Sequence, residues 1–314
     1  MLLKGTVIKS TGNWYQVAQG QQIVQCRIVG KFRLGDKVLT NPVAVGDMVD
    51  IEPEGDDKGL IKHIYPRANY ITRQSPRQKH HLHLLAANVD QACVVVTLVQ
   101  PNLKQGFIDR FILMTEPQNI PCFIVVNKSD LFEEEEEILL QELKTLYESI
   151  GYPILSVSAL TGKGLEDLKN RLKKKITFIG GQSGVGKSTL INSIQPNLDL
   201  RTTEISESSG KGTHTTTFAE MHSLDFGGWI IDTPGIKTLS FNNLETMDVA
   251  HNFREFFSLQ GGCKYSDCLH RDEPGCAVKK ALEAGNIHPL RYANYLAILD
   301  EIEDQNYWER HKEM

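Results

Sequence analysis

Apolar and polar positions alternate in three different ways along the chain. Up to about residue 68, short apolar runs are separated by turn residues, which is typical of a small five-stranded barrel. Between residues 69 and 242, strand-like runs alternate with amphipathic helices, which indicates a mostly parallel, doubly wound sheet. From residue 243 the periodicity is helical. We therefore predict a multidomain protein: an OB-like β-barrel at 1–68, a central α/β domain at 69–242 and a mostly helical domain at 243–314.

The local patterns predict the individual elements. In the first part, strands are expected at residues 5–8, 14–17, 22–26, 38–39 and 47–51. In the second part, strands are expected at 89–99, 121–126, 154–157, 176–179, 218–224 and 228–231, and helices at 107–116, 133–150 and 165–173. The second of these helices has Leu139, Leu143, Leu146 and Ile150 at helical spacing. A last helix is predicted at 289–302, and the polar tail from residue 305 is expected to fray.

Charge is distributed unevenly. The net charge is −5, but residues 1–88 carry +5 and the remainder carries −10. A basic N-terminal part hints at a nucleic-acid face, although ordinary variation in surface charge would give the same numbers. Residues 67–85 form a basic connector, which is either a solvated linker or a segment that contacts phosphate. Contact is favoured because no acidic residue lies between its cationic members, Arg67, Arg73, Arg77 and Lys79.

Composition also limits the class of protein. The N-terminus lacks the shape of a signal peptide, and the longest apolar run, at 92–99, is far shorter than a membrane span. The expectations are therefore a cytoplasmic location and no membrane association. The protein is also expected to be a monomer. Three of the six cysteines, Cys26, Cys93 and Cys122, lie in strand-like runs and are expected to be buried thiols.

A glycine-rich loop carries the first candidate chemistry. The string G-x-x-x-x-G-K-S runs from Gly181 to Ser188, after the apolar run at 176–179 and before a helical pattern. Strand, loop and helix in this order form a phosphate-binding P-loop, because the loop N–H groups and the helix N-terminus face the phosphates. Lys187 is expected to reach the β- and γ-phosphates, and Ser188 to bind Mg²⁺.

A second string is expected to recognise guanine. The predicted strand at 121–126 is followed by an N-K-x-D pattern, Asn127, Lys128, Ser129 and Asp130. The Asp130 carboxylate can accept from the N1–H and the amine of guanine, whereas adenine would leave it unpaired. Asn127 would hold the other edge of the base, and the Lys128 stem would cover its face. After the next strand, backbone amides of Ser158 and Ala159 would support the base.

The order of the motifs is informative. A D-x-x-G string, from Asp232 to Gly235, follows the strand at 228–231; its aspartate is expected to position Mg²⁺ and its glycine to sense the γ-phosphate. In ordinary GTPases the P-loop precedes the guanine motif, whereas here the guanine motif and Ser158-Ala159 precede the P-loop. The central domain is therefore predicted to be a circularly permuted P-loop GTPase. This permutation joins the second switch directly to the C-terminal domain.

The first switch is expected at 212–217, between the P-loop and the D-x-x-G string, where one threonine would bind Mg²⁺. Ras-like proteins orient the attacking water with a glutamine just after D-x-x-G, but here that position is Ile236. His214 is the nearest candidate for this catalytic role, and a switch histidine without a chemical role is the alternative. Without the glutamine, hydrolysis is expected to be slow and to need a partner.

A cluster of soft ligands lies in the C-terminal part. Three thiols and one imidazole within fourteen residues suit one tetrahedral structural Zn²⁺, although the spacing is not the common C-x₂-C: Cys263, Cys268, His270 and Cys276. Free thiols are the alternative.

The permuted order, the string G-K-G-T-H-T-T-T at 210–217, D-T-P-G and the cysteine–histidine cluster together resemble one family. It is the family of the circularly permuted ribosome small subunit-dependent GTPase A, a bacterial ribosome biogenesis factor, and the likeness covers nearly the whole chain. The resemblance implies binding to the small ribosomal subunit late in its maturation, GTP hydrolysis stimulated by that subunit, and release afterwards. It implies the guanine and zinc roles given above, and phosphate binding by Gly181, Gln182, Ser183, Gly184, Val185, Gly186, Lys187, Ser188 and Thr189.

Three functional hypotheses follow. The leading one is a GTPase that hydrolyses GTP to GDP and phosphate while docked on small-subunit rRNA. The second is a GTP-gated RNA-binding switch with negligible turnover, motivated by the missing glutamine. The third, a P-loop ATPase or kinase, is opposed by the guanine motif.

Overall fold

The computed structural model describes residues 2–12, 14–33, 41–55, 57–74, 82–200, 219–233 and 244–310. The predicted strand at 38–39 and the switch segment at 212–217 lie outside these ranges.

The N-terminal part is the expected five-stranded barrel. Its strands are β1 (Leu3–Ser10), β2 (Tyr15–Gln19), β3 (Gln22–Ile28), β4 (Met48–Pro53) and β5 (Lys58–Ile64). The barrel closes because β1 pairs with both β2 and β4, while β5 pairs with β3 and β4. Strand β5 was not predicted, since Lys62 and His63 interrupt its apolar pattern. Pairing on both sides, with Ile61 fully buried, makes it a strand.

The basic connector is not a linker over its described residues. It forms an antiparallel pair, β6 (Tyr70–Gln74) and β7 (Leu82–Ala87), that buries Ile71 and Leu84. The prediction of phosphate contact assumed that the cations of this connector are not neutralised, and this is wrong for Arg67. Its Nε and Nη2 each lie 2.7 Å from a carboxylate oxygen of Asp47, so a residue 20 positions upstream neutralises it. Arg77 and Lys79 lie outside the described residues.

The central part is the predicted doubly wound sheet. Its strands are β8 (Gln91–Thr97), β9 (Cys122–Asn127), β10 (Ile154–Ser156), β11 (Ile176–Gly181), β12 (Glu220–Ser223) and β13 (Trp229–Asp232). Their order is β10-β9-β8-β11-β13-β12, and all neighbours are parallel except β12 with β13. The parallel strands read as continuous apolar runs because both faces are covered. The buried thiols expected at Cys26, Cys93 and Cys122 are confirmed.

Helices cover the two faces of this sheet: α1 (Phe107–Thr115), α2 (Glu134–Ser149), α3 (Leu165–Leu172) and α4 (Lys187–Ile194). One hydrophobic core holds residues of α1 and α2, and a second holds residues of α3 and α4. In α2 the buried positions are Leu140, Leu143, Leu146 and Tyr147, whereas Leu139 is exposed. The predicted apolar face is therefore confirmed at Leu143 and Leu146, while Leu140 and Tyr147 are buried in place of Leu139.

The C-terminal part is helical, with α5 (Thr246–Asn252), α6 (Arg254–Phe257), α7 (Ala277–Glu283) and α8 (Pro289–Arg310). Helix α8 does not fray at residue 305 but continues to Arg310. Ion pairs hold the middle of this helix, since Arg271 reaches Asp300 at 2.8 Å and Arg110 reaches Glu301 at 2.6 Å. Among the described residues, no helix is long and apolar enough to cross a membrane.

Candidate nucleotide site and metal centre

The glycine loop lies between β11 and α4, as predicted. Gly184 and Gly186 have φ values of 86° and 81°, which favour glycine. A Cβ at Gly186 would lie 2.7 Å from Nδ2 of Asn127, and one at Gly181 would lie 2.5 Å from the carbonyl oxygen of Val95. The loop therefore needs glycine both for its backbone conformation and for its close approach to neighbouring strands.

Lys187 is the first residue of α4 and points to the end of β13. Its Nζ is paired with a carboxylate oxygen of Asp232, and the two side chains are 9% and 5% exposed. Strands β11 and β13 are parallel neighbours in which Ile179 pairs with Asp232. This pairing brings the end of β13 beside the glycine loop and within reach of Lys187. The lysine of the G-K-S string and the aspartate of the D-x-x-G string, 45 residues apart, therefore meet.

Asn127 joins the guanine motif to the glycine loop. Its side chain is buried at the end of β9, where Nδ2 donates to the carbonyl of Val185 at 2.9 Å. Its Oδ1 accepts from the backbone N–H of Ala159 at 3.2 Å. One amide thus holds together three loops that the sequence places far apart.

Lys128 and Asp130 flank the position expected for the base. Lys128 has a φ of 65°, its Nζ donates to the carbonyl of Gln100, and burial lowers its pKa. Asp130 is exposed and accepts from Ser158 Oγ at 2.5 Å, while the Ser129 N–H donates to Val157 at 3.0 Å. The structure therefore brings together the guanine motif, the Ser-Ala loop and the P-loop. His214 and Gly235 lie outside the described residues.

The predicted metal ligands also converge. The ligand atoms of Cys263, Cys268, His270 and Cys276 lie within 4.8 Å of one another. The Nδ1 of His270 is 3.4 Å from Sγ of Cys276 and 3.7 Å from Sγ of Cys263. Tetrahedral zinc with ordinary Zn–S and Zn–N bonds requires S···N separations of about 3.6 Å. The donor set and its spacing therefore fit Zn²⁺.

The surrounding residues hold this loop against α8 and α7. Tyr292 and Tyr295 donate to the carbonyls of His270 and Leu269 at 2.6 and 2.8 Å. Burial raises the pKa of the Cys268 thiol to about 12. Because a metal ligand must be the thiolate, metal binding at Cys268 would release a proton. Burial opposes ionisation of Glu273, but backbone N–H donors, including those of Leu269 and Arg271, outweigh it and lower its pKa.

A second buried polar cluster was missed at the sequence level. Arg291 of α8 contacts Asp109 of α1 at 2.6 Å and Glu255 of α6 at 2.7 Å, and Asn294 and Tyr147 also bind Asp109. Burial opposes the charge of Arg291, but Asp109 and Glu255 outweigh it and raise its pKa. The sequence contains one signal of this cluster, which is Asp109 inside the apolar run of α1. Its partner is 182 residues away, so spacing could not identify it.

Fold and site together define a class. The protein is a circularly permuted P-loop GTPase, because its guanine motif precedes the P-loop in sequence yet contacts it in a doubly wound sheet. A family model described as RsgA GTPase matches residues 64–242, and one described as RsgA N-terminal domain matches residues 4–61. The chain belongs to the RsgA GTPase family, which confirms the family indicated by the motifs.

Relatives in several bacteria support this assignment. The chain is 46% identical to the small ribosomal subunit biogenesis GTPase RsgA of Bacteroides fragilis (strain YCH46) over 306 residues, covering 97% of this chain and 99% of that protein. The protein of the same name from Flavobacterium psychrophilum is 46% identical over 312 residues, covering 97% and 94%.

Solved structures agree with the fold. YjeQ from Thermotoga maritima superposes with a TM-score of 0.77 at 36% identity, covering 96% of this chain and 99% of that chain. YloQ, described as a circularly permuted GTPase, superposes with a TM-score of 0.73 at 31% identity, covering 97% and 96%.

Proposed function

We propose that this protein hydrolyses GTP to GDP and phosphate on the small ribosomal subunit, late in maturation of that subunit and with stimulation by it. The observation that carries the nucleotide part is the Asn127 side chain, which ties the guanine motif to the P-loop and to the Ser-Ala loop. The ribosomal part rests on the relatives, which are named small ribosomal subunit biogenesis GTPases. Acting on ribosomal subunits would place the protein in the cytoplasm, with rRNA as its partner and a monomer as the working form.

The residue roles in this proposal assign each motif to one part of the bound nucleotide. Asp130 would accept from guanine N1–H and the amine, and the backbone amides of Ser158 and Ala159 would support the base. The loop from Gly181 to Thr189 would enclose the phosphates, with Lys187 on the β- and γ-phosphates. Ser188 and Asp232 would hold Mg²⁺, which when bound stabilises the charge on the phosphoryl oxygens.

The two switch segments would align the attacking water and sense the γ-phosphate. Position 236 is isoleucine, so a water-orienting glutamine is missing there, and His214 is the proposed substitute. The Gly235 N–H would contact the γ-phosphate. We expect slow hydrolysis by the protein alone, because water alignment would depend on the docked subunit.

The remaining parts would hold the enzyme on its partner. The barrel, proposed to span residues 1–68, and the helical part, proposed to span 243–314, would both contact rRNA. Cys263, Cys268, His270 and Cys276 would hold one structural Zn²⁺, which fixes the loop between α6 and α7. The GTPase domain between them, at 69–242, would time release.

Turnover with and without small subunits tests the proposal. We expect GTP hydrolysis to rise by at least about tenfold when small subunits are added, and large subunits provide the matched control. Equal rates in both mixtures would contradict the partner-activated part.

The GTP-gated switch without turnover is disfavoured because the relatives are named GTPases. A single-turnover assay of wild type and His214→Ala separates the two, since hydrolysis that is lost in the variant excludes the switch.

Asp130→Asn is the matched test of the guanine assignment. Asparagine cannot accept both guanine protons, but its amide can donate to the C2 oxygen of xanthine. We expect the variant to lose GTP binding and to gain XTP binding, and that gain would show that it is folded. Unchanged preference for GTP over XTP would contradict the assignment.

A further inference from the structure

Strand β1 of the barrel also pairs with strand β12 of the central sheet. Lys9 lies directly opposite Glu220 in this pair, and Glu220 lies directly opposite Asp232 where β12 pairs with β13. Side chains that are directly opposite in antiparallel strands lie on the same face of the sheet. Lys9, Glu220 and Asp232 therefore form a row across three strands. This row runs from the barrel to the aspartate of the D-x-x-G string.

The charges of this row are balanced from its two ends. At the barrel end, Nζ of Lys9 lies 2.9 Å from a carboxylate oxygen of Glu220, and both side chains are only partly exposed. At the other end, Asp232 is paired with Lys187. Two carboxylates that lie directly opposite each other repel, which is destabilising. One lysine on each side therefore compensates the two central negative charges.

Nucleotide binding would change this balance at one end only. In the proposed site, Lys187 contacts the β- and γ-phosphates, while Asp232 and Ser188 hold Mg²⁺. The lysine of the row that stays beside the two carboxylates is then Lys9. A charge a few ångströms from a bound cation changes the affinity for that cation, with a sign set by the charge. Glu220 should therefore favour Mg²⁺ binding at Asp232, and Lys9 should oppose it.

We propose that Glu220 and Lys9 modulate the Mg²⁺ affinity of the nucleotide site, so that a residue of the barrel contributes to a property of the GTPase domain. This inference rests on the proposed function, because it takes Mg²⁺ to lie at Asp232. Glu220 and Lys9 are not catalytic residues. They act on the ion through the field at Asp232, and Lys9 acts mainly by neutralising Glu220.

Titration of the GDP complex with Mn²⁺ tests the proposal without measuring turnover. Mn²⁺ takes the same oxygen ligands as Mg²⁺, and the free ion is followed by electron paramagnetic resonance. The titration is done at pH 8, because His222 lies two residues from Glu220 on the same face of β12. Burial lowers the pKa of its imidazole, so at this pH His222 is neutral and adds no charge.

The two single variants should shift the affinity in opposite directions. We expect Glu220→Gln to bind Mn²⁺ about two- to fivefold more weakly, and Lys9→Met to bind it more tightly by a similar factor. Both shifts should become smaller at high salt, because the two side chains are partly exposed. The double variant, Lys9→Met with Glu220→Gln, should return close to wild type because the two lost charges cancel.

The opposite signs separate a charge effect from a structural one. If the ion pair only fastened β1 to β12, both substitutions would loosen the strand and both would weaken Mn²⁺ binding. That result, or an unchanged affinity in either single variant, would overturn the proposal. Lys62→Met is the matched control, since it breaks another ion pair of the barrel, the one with Glu52 at 2.7 Å. It should bind Mn²⁺ as wild type does.

Asp232→Asn distinguishes this inference from the proposed function. If Asp232→Asn loses Mn²⁺ binding while Lys9→Met and Glu220→Gln bind as wild type does, only the modulation by the row fails. If Asp232→Asn binds Mn²⁺ as tightly as wild type, the Mg²⁺ site itself has been assigned wrongly.

Discussion

The guanidinium of Arg291 in α8 lies 2.6 Å from the carboxylate of Asp109 in α1, and the two side chains are only 1% and 0% exposed. Asn294 donates to the second oxygen of Asp109 at 2.5 Å, and Tyr147 donates to the first at 2.7 Å. Because the two helices belong to the GTPase sheet and to the C-terminal part, one buried polar cluster fastens these parts together. Such a cluster stabilises the arrangement only while all of its members are present.

Replacing Arg291 should therefore weaken the whole chain. We expect Arg291→Ala to lower the free energy of unfolding by about 3–5 kcal/mol, because it leaves the Asp109 charge buried without its cation. Urea denaturation measures this. Glu301→Ala removes another ion pair between the same two helices, the partly exposed one with Arg110, and should cost at most about 1 kcal/mol. Equal losses in the two variants would contradict the role of the buried cluster.

Gly186→Ala should abolish tight nucleotide binding for a steric reason. The new Cβ would meet Nδ2 of Asn127 at 2.7 Å, so the glycine loop and the guanine motif would separate. We expect a loss of GTP affinity greater than about tenfold, or ~1.4 kcal/mol, measured by titration.

Gly227→Ala is the matched control for that substitution. Gly227 has a similar φ of 89°, but a Cβ there would meet nothing within 4 Å. Both variants should lose about 1 kcal/mol of stability from the positive φ. Only Gly186→Ala should lose affinity, and loss in both would point to unfolding rather than to the loop contact.

Zinc removal should destabilise the C-terminal part. We expect about one Zn²⁺ per chain in the purified protein, by elemental analysis, since one set of four ligands converges. At a metal concentration of about a thousand times Kd, zinc would contribute ~4 kcal/mol, so chelation should lower Tm by roughly 10 °C. Cys268→Ser should lose the metal, whereas Cys122→Ala, at a buried thiol outside the cluster, should retain it. Full metal content in Cys268→Ser would exclude the assigned site.

His222 on β12 should make stability sensitive to mild acid. Burial lowers the pKa of its imidazole, with Glu220 and Asp232 opposing the shift and Lys9 and Lys187 adding to it. The unfolded chain then takes up the proton first, so this contribution is complete above about pH 6.5 and is lost as the pH falls toward the folded pKa. Urea midpoints of wild type should fall more steeply below pH 6.5 than those of His222→Gln. Parallel curves would contradict this prediction.

Several features could be predicted from the sequence because their chemistry is local. The P-loop, the guanine motif and the four candidate metal ligands each lie within one short stretch, so their residue types, spacing and flanking elements predict what they bind. The order of these motifs also indicated the permutation and the family. The alternation of strands and helices indicated the doubly wound sheet, since strands covered on both faces read as continuous apolar runs. The role of His214 stays a prediction.

The sequence by itself thus determined the nucleotide chemistry, the candidate metal ligands and the class of fold. Only the tertiary structure decided which distant residues meet: Asp47 with Arg67, Asp109 with Arg291, and β5 with two strands of the barrel. It also decided that α8 runs to Arg310. The physical reason is that a local pattern records which face of an element is apolar. The partner of a charged or edge group is set by how separate elements pack, and no short stretch of sequence contains that information.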